Sequence, residues 1–238
     1  MGSGKKISVA LAAYKGEKFI AEQLDSILFQ LKENDEIIVS DDLPGGETEQ
    51  IVRNFAQKDA RVKYVKGPQK GLIKNFENAI KICTGDYIFL CDQDDVWLPD
   101  KVDAVTEKLD EGYSLVLHNA MVTDSELKIT DTSFFNSHGT KTGFLTNIVK
   151  NSYMGCCMAF SRELKEKIIP FADGIPMHDQ WIGLIAEKTG KVCLVEKPLI
   201  LYRRHGNNMT GCKTSLKQKI IWRLSIVQKV SQRLSKIN

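Results

Sequence analysis

The chain has 238 residues, 42% hydrophobic and 26% charged, with a formal net charge of +3. That length buries a core without disulfides or a structural metal, and the composition excludes collagen-like, mucin-like and wholly disordered classes. So small a positive surplus does not point to nucleic acid. The six cysteines form no C-x-x-C pair and several lie in apolar runs, so a reducing, cytoplasmic compartment is expected. No secretion signal precedes the first apolar run, and the "GSG" at residues 2–4 reads as a cloning remnant.

The first half alternates. "KISVALAAY" predicts a strand, "GEKFIAEQLDSILFQL" a helix, "DEIIVSDD" a strand and "TEQIVRNFAQK" a helix. "RVKYVKG" predicts a third strand, "GLIKNFENAIKICTG" a third helix closed by Gly85, and "DYIFLCD" a fourth strand. Such alternation implies parallel pairing through right-handed crossovers, hence an α/β class with a doubly wound, mostly parallel sheet flanked by helices. Ligands of these sheets bind beyond the carboxyl ends of the strands. Polar residues gather there: Tyr14 and Glu17 after the first strand, Asp41 and Asp42 after the second, and Asp92, Gln93, Asp94 and Asp95 after the fourth.

From about Tyr113 the alternation loosens. "YSLVLHNAMVTDSELKIT" predicts a strand, a turn and a second strand, "TDTSFFNSHGTKTG" a loop, "GCCMAFS" a strand and "HDQWIGLIAEKTG" a helix. "KVCLVEKPLILYRRHGNN" adds one or two strands ending in basic and polar groups. One mixed domain is expected over residues 5–211, with a nucleotide-type half (5–110) and a variable half (111–211). Residues 212–238 append a basic amphipathic helix. After Thr210 there are seven lysines and arginines and no acid, and Leu216, Ile220, Leu224, Val227, Val230 or Ser231, Leu234 and Ile237 recur at intervals of three or four, so one helical face is expected to be apolar and the rest basic. Two readings stay open, a helix lying on an anionic membrane surface and a closing helix packed on the body.

"GDYIFLCDQDDVWLPDK" sets three aspartates within four residues directly after a strand. Like charges so close ionise together only around a cation. Hard oxygen donors without a Cys-His pattern suit Mg2+ or Mn2+ shared with substrate phosphates. Three other readings compete: a solvated helix cap ahead of Pro99, the Asp92 nucleophile of a haloacid-dehalogenase-like phosphatase, and a non-catalytic membrane-associated module led by the basic tail. An EF-hand loop is disfavoured by Trp97, where glycine is needed.

"ISVALAAYKGEKFIAEQLDSIL", "EIIVSDD", "KGLIKNFENAI", "GDYIFLCDQDDVW", "MHDQW" and "YRRHGNN", taken in order, resemble motifs of the inverting family-2 glycosyltransferases with the GT-A fold, among them bacterial rhamnosyltransferase-like members. The resemblance covers roughly residues 6–211, and the chain is short for a full-length relative; it departs after "SDD", where "LPGGET" replaces Gly-Ser-x-Asp. It implies a nucleotide-sugar donor, a glycan or lipid-linked acceptor bound by the second half, and a reaction at the cytoplasmic face of the membrane. It further implies that Asp94 holds the metal, with His205 completing its shell or binding diphosphate. Asp92 would help bind donor sugar or ribose and Asp95 would shape the turn. Asp41, with Asp42 beside it, would take the pyrimidine base, and Ala12, Tyr14 and Glu17 would wall the nucleoside. Asp179 matches the catalytic base, and Arg204 or Arg203 would neutralise the leaving group. Trp97 and Trp181 read equally as walls for a sugar ring or as core, and Lys74 and Asn75 as substrate contacts or a solvated helix face.

Overall fold

Ile7–Ala13, the first strand β1, is buried along its whole length, as a strand covered by helices on both faces must be. The computed structural model describes residues 4–206 and 215–237. After β1 the chain runs through α1 (Ile20–Leu28), β2 (Glu36–Asp41), α2 (Glu47–Lys58), β3 (Val62–Lys66), α3 (Leu72–Ile82) and β4 (Tyr87–Asp92). Pairing is parallel throughout this half, in the order β3-β2-β1-β4. The register sets Ala13 opposite Asp41 and Ala12 opposite Asp92, so three strand ends meet at one edge.

Beyond β4 come β5 (Val96–Trp97), α4 (Lys101–Asp110), β6 (Leu115–Thr123), β7 (Ile129–Asp131), α5 (Phe134–His138) and α6 (Phe144–Val149). β8 (Met158–Ser161), α7 (Arg162–Ile168), α8 (His178–Thr189), β9 (Val192–Arg203) and α9 (Leu216–Ile237) complete the described chain. The same sheet continues as β4-β8-β6-β9-β5, with β8 antiparallel to both β4 and β6, and β7 pairs with β6. The architecture is thus a mixed sheet flanked by helices, parallel in its first half. β9 bends through register shifts against β6 and reaches back to pair Trp97 with Ile200, which carries Arg203 at its end to the turn after β4.

Some local expectations change. The segment expected as a loop around Phe134 holds the short helix α5, capped by the Ser133 hydroxyl. Gly85 does not close α3, which ends at Ile82; a Cβ there would meet the Ser8 backbone nitrogen at 2.6 Å, so glycine is required by close approach of β1. The expected boundary at residues 211 and 212, and Asn207, Asn208 and Cys212, lie outside the described residues. No described helix is long and apolar enough to cross a membrane.

Candidate active site

At the amino end of the sheet Glu36 is buried, and burial pushes its carboxyl up. Lys63 at 2.6 Å, Ser8 and Thr84 outweigh that and hold it at about 2. Every donor it needs is present, so it is a structural ion pair. The carboxyl end of the sheet is built the opposite way.

There β4 ends in Asp92, followed by Gln93, Asp94 and Asp95. Gln93 ties this turn to the loop after β1: its Oε1 accepts from Tyr14 N at 2.8 Å and its Nε2 donates to Tyr14 O at 2.9 Å. Arg203, at the end of β9, holds the turn from the other side. Its backbone N donates to Asp95 Oδ1 at 3.0 Å and its Nε to Asp94 O at 2.8 Å, while Nη2 pairs with Glu22 of α1. The guanidinium lies 4.6 Å from the Phe19 ring centre, and His205 stacks on the same ring. His205 Nε2 meets Asp94 Oδ2 at 2.7 Å.

Three carboxyls in this cluster are driven toward their protonated forms. Burial, then Asp94 and then Asp179 raise Asp92 to about 7. Asp95 is pushed well up by burial, Asp94 and Asp92, and its Oδ2 is buried with no hydrogen-bond partner among the described residues. The potential ligand atoms of Asp92, Asp95 and Cys156 lie within 4.8 Å of one another. An orphaned carboxylate oxygen among surplus negative charge is the environment that a divalent cation completes; the carboxylate oxygens fit Mg2+ or Mn2+, while the Cys156 thiol is a softer donor than either ion favours. Below the turn Lys101 is fully buried, 3.1 Å from Cys156 O and 4.0 Å from the Trp97 ring centre, and its positive charge opposes the rise at Asp92.

Asp179 reaches this cluster from α8. Its Oδ1 accepts from Gln180 N at 2.5 Å and from Asn151 Nδ2 at 3.1 Å. Burial outweighs both bonds and raises its carboxyl to about 7. That Asp179 raises Asp92 places the two charges in one field although 87 residues separate them. Asp179 lies in the first turn of α8, two residues after Met177, and its carboxylate accepts from the adjacent first-turn amide of Gln180.

On the nucleotide side Asp41 is buried; Leu43 N and Tyr64 Oη donate to it at 3.0 and 3.2 Å, and burial still raises its carboxyl. Ala12 is buried beside it, Tyr14 is exposed, and Glu17 accepts from Thr48. Other expected contacts are engaged elsewhere. Asp42 spends both oxygens on Gln69 N and Gly71 N. Asn75 is buried and stitches Ala13 O to Ser40. Lys74 pairs with Glu77 and Asp173, both at 2.9 Å. Trp181 is fully buried with its indole nitrogen on Ile168 O, and Trp97 packs on Phe89, so both serve the core rather than a sugar-facing wall. Arg204 lines a recess with Asp131, Phe134 and His138, and Arg203 instead grips the acidic turn. Glu22, Phe19, Lys101, Asn151 and Cys156 were not singled out by pattern, because each acts through a contact distant in sequence; Gln93 was placed at the strand end, but its tie to Tyr14 was not foreseen.

The fold, an acidic turn at the strand ends and an opposed carboxylate define a transferase of the GT-A class. A profile of Glycosyl transferase family 2 matches residues 8–169, and the chain belongs to that family. It is a glycosyltransferase of the nucleotide-sugar-using kind, which decides against the phosphatase and binding-module readings. It is 29% identical over 226 residues to the dTDP-rhamnosyl transferase RfbG of Shigella flexneri, covering 88% of this chain and 76% of that protein. A Campylobacter jejuni GalNAc(5)-diNAcBac-PP-undecaprenol beta-1,3-glucosyltransferase is 29% identical over 119 residues, 49% of this chain and 38% of that one. Among solved structures, S. aureus TarS 1-349 in complex with UDP-GlcNAc superposes with a TM-score of 0.71 at 20% identity, over 96% of this chain and 66% of that chain. The mannosyltransferase PcManGT from Pyrobaculum calidifontis, in complex with GDP-Man and Mn2+, gives 0.63 at 20% identity, over 98% and 64%.

Proposed function

We propose that the protein transfers a sugar, with inversion, from a nucleoside diphosphate sugar to a hydroxyl of a growing polysaccharide or lipid-linked glycan. The donor is dTDP-rhamnose or a UDP-hexose, the reaction runs at the cytoplasmic face of a membrane, residues 5–110 take the donor and 111–211 the acceptor. The observation that carries this is the convergence of Asp92, Asp94, Asp95 and His205 with Asp179, a carboxyl poised near neutrality. The dTDP-rhamnosyl and undecaprenol-linked activities of the relatives, and the UDP-GlcNAc and GDP-Man complexes of the neighbours, support the same chemistry.

Asp94 and His205, bonded to each other at 2.7 Å, would hold Mg2+ or Mn2+, with Asp92 and the Asp95 oxygen that has no partner among the described residues beside them. A divalent cation there supplies positive charge against the diphosphate as it departs. Asp179 keeps Oδ1 on Gln180 and Asn151, which leaves Oδ2 to take the proton of the acceptor hydroxyl as its oxygen attacks the anomeric carbon. Attack from the face opposite the leaving group inverts that carbon in one displacement and needs no enzyme nucleophile. Asp41, Ala12, Tyr14 and Glu17 border the nucleoside.

Thermal melts test the reading. UDP or dTDP with Mn2+ raises the melting temperature by mass action, about 2.7 kcal/mol at a hundredfold excess over Kd. Asp94→Asn abolishes the Mn2+-dependent part while the ligand-free melt stays cooperative. A full Mn2+-dependent response in Asp94→Asn, or a phospho-aspartate trapped at Asp92, refutes it.

A further inference from the structure

The helix α6 exposes Leu145 (76%) and Val149 (63%), four residues apart and so on one helical face. α9 packs against α6, α7 and α8 through Ile226 and Val230, which are fully buried. Ile220, Leu224 and Val227 instead remain 55%, 68% and 37% exposed, and Ile221 and Trp222 on the flanking faces are exposed as well. The i, i+4, i+7 spacing of Ile220, Leu224 and Val227 makes a second apolar stripe beside the packed one. The expectation of a single apolar face is thereby corrected: α9 closes the domain with one stripe and presents another. Arg223 joins the two helices, donating from Nη2 to Val149 O at 2.5 Å. Ile220 and Val227 are its helical neighbours three back and four on, so the α6 and α9 stripes adjoin. Five large apolar side chains together exceed the scattered singles of an ordinary surface.

The charge around this surface is mainly positive; Glu187, which accepts from Gly143 N at the start of α6, and Asp173, whose carbonyl meets Lys229 of α9, are its acidic neighbours. Residues 132–162 and 197–238 contain no aspartate or glutamate. Lys141 and Lys150 flank α6, and Lys219 and Arg223 alternate with the α9 stripe. A second copy of the chain would bring like charges face to face across a two-fold axis, whereas anionic lipid complements them. α9 carries too many charges to span a bilayer, and an amphipathic cationic helix lies in the interface instead.

We infer that the adjoining apolar stripes of α6 and α9, with their lysines and arginines, form a docking surface for an anionic lipid bilayer. The surface sits on the acceptor side. Asn147 of α6 is fully buried and accepts from Gln180 Nε2 at 2.8 Å, and Asn151, two residues beyond α6, holds Asp179. Docking therefore brings Asp179 close to the bilayer, where a lipid-linked hydroxyl acceptor is confined to two dimensions. That significance rests on the proposed transfer reaction, while the surface itself is tested without donor or acceptor.

Co-sedimentation of the whole chain with phosphatidylglycerol–phosphatidylcholine vesicles, against pure phosphatidylcholine, is the test. Wild type pellets with the anionic vesicles and is released as salt rises. The exposed pair Leu145→Ser/Leu224→Ser weakens partitioning by about tenfold or more, with the ligand-free melt and the response to UDP or dTDP unchanged. Equal binding by that pair, no binding at low salt, or a concentration-dependent dimer that the same substitutions dissociate overturns the proposal. A protein that binds vesicles yet ignores every nucleotide keeps the docking surface and loses the transferase reading.

Discussion

Asp179→Asn is expected to make the protein more stable as it makes it inactive. The carboxyl sits at about 7 in the fold against an ordinary 3.8, and at about 1.4 kcal/mol per pH unit the linkage amounts to about 4 kcal/mol. Asp179 keeps some contact with solvent, which screens the effect, so about 2 kcal/mol is the working figure. The sign follows from the direction of the shift. A carboxyl raised by folding contributes its full stability below its unfolded value near 3.8 and loses it as pH climbs through about 7. Asparagine is neutral at every pH, and its Oδ1 can accept the same bonds from Gln180 and Asn151. The variant's advantage therefore grows from little near pH 4 to its full size above about pH 7. For a chain of this length that is about 4–8 °C in melting temperature. The assay is a series of melts in chelator between about pH 5 and 8.5, alongside transfer measurements on the wild type, whose rate rises through about pH 7 as the base ionises. An Asn variant no more stable at high pH, or a gap independent of pH, refutes burial as the cause.

Two further outcomes probe the supports of the site. Lys101→Met keeps an apolar stem over Trp97 but removes the buried positive charge that restrains Asp92. Metal-dependent nucleotide stabilisation should then move to higher pH by up to about one unit, and an unmoved pH profile would show that Lys101 acts only in packing. Gly183→Ala places a Cβ 2.2 Å from the ring of Tyr153, whose hydroxyl is pinned to Glu187 at 2.7 Å. Overpacking should cost about 1–3 kcal/mol by denaturant titration despite the gain of about 1 kcal/mol in helix propensity; an unchanged midpoint would mean that the Tyr153 contact is soft.

Much of the fold was legible because its signals are local. Period-two and period-3.6 patterns marked β1 to β4 and α1 to α3, and their alternation implied parallel pairing. The short elements were not legible: β5 spans two residues and owes its existence to pairing with β9, not to propensity. α5 is a five-residue helix held by a serine cap within a polar stretch. The acidic turn was visible as a string of letters, whereas the supporting roles of its partners were not. Arg203, Glu22 and Gln93 act across 181, 109 or 79 residues of chain, and single-residue polarity does not distinguish them from surface groups.

Trp181, Trp97 and Asn75 show the converse, since residue types suited to ligands were consumed by burial and by backbone atoms that needed partners. The amino-acid sequence by itself determined which elements form and which carboxylates stand at the strand ends, because backbone preference and hydrophobic period are read over a few neighbouring residues. Tertiary structure alone decided that the Asp179 charge acts on Asp92, that Asp95 keeps an oxygen without a partner among the described residues, and that α9 packs on one apolar stripe while exposing another. Those properties depend on distance and desolvation, and both exist only once segments far apart in the chain are packed together.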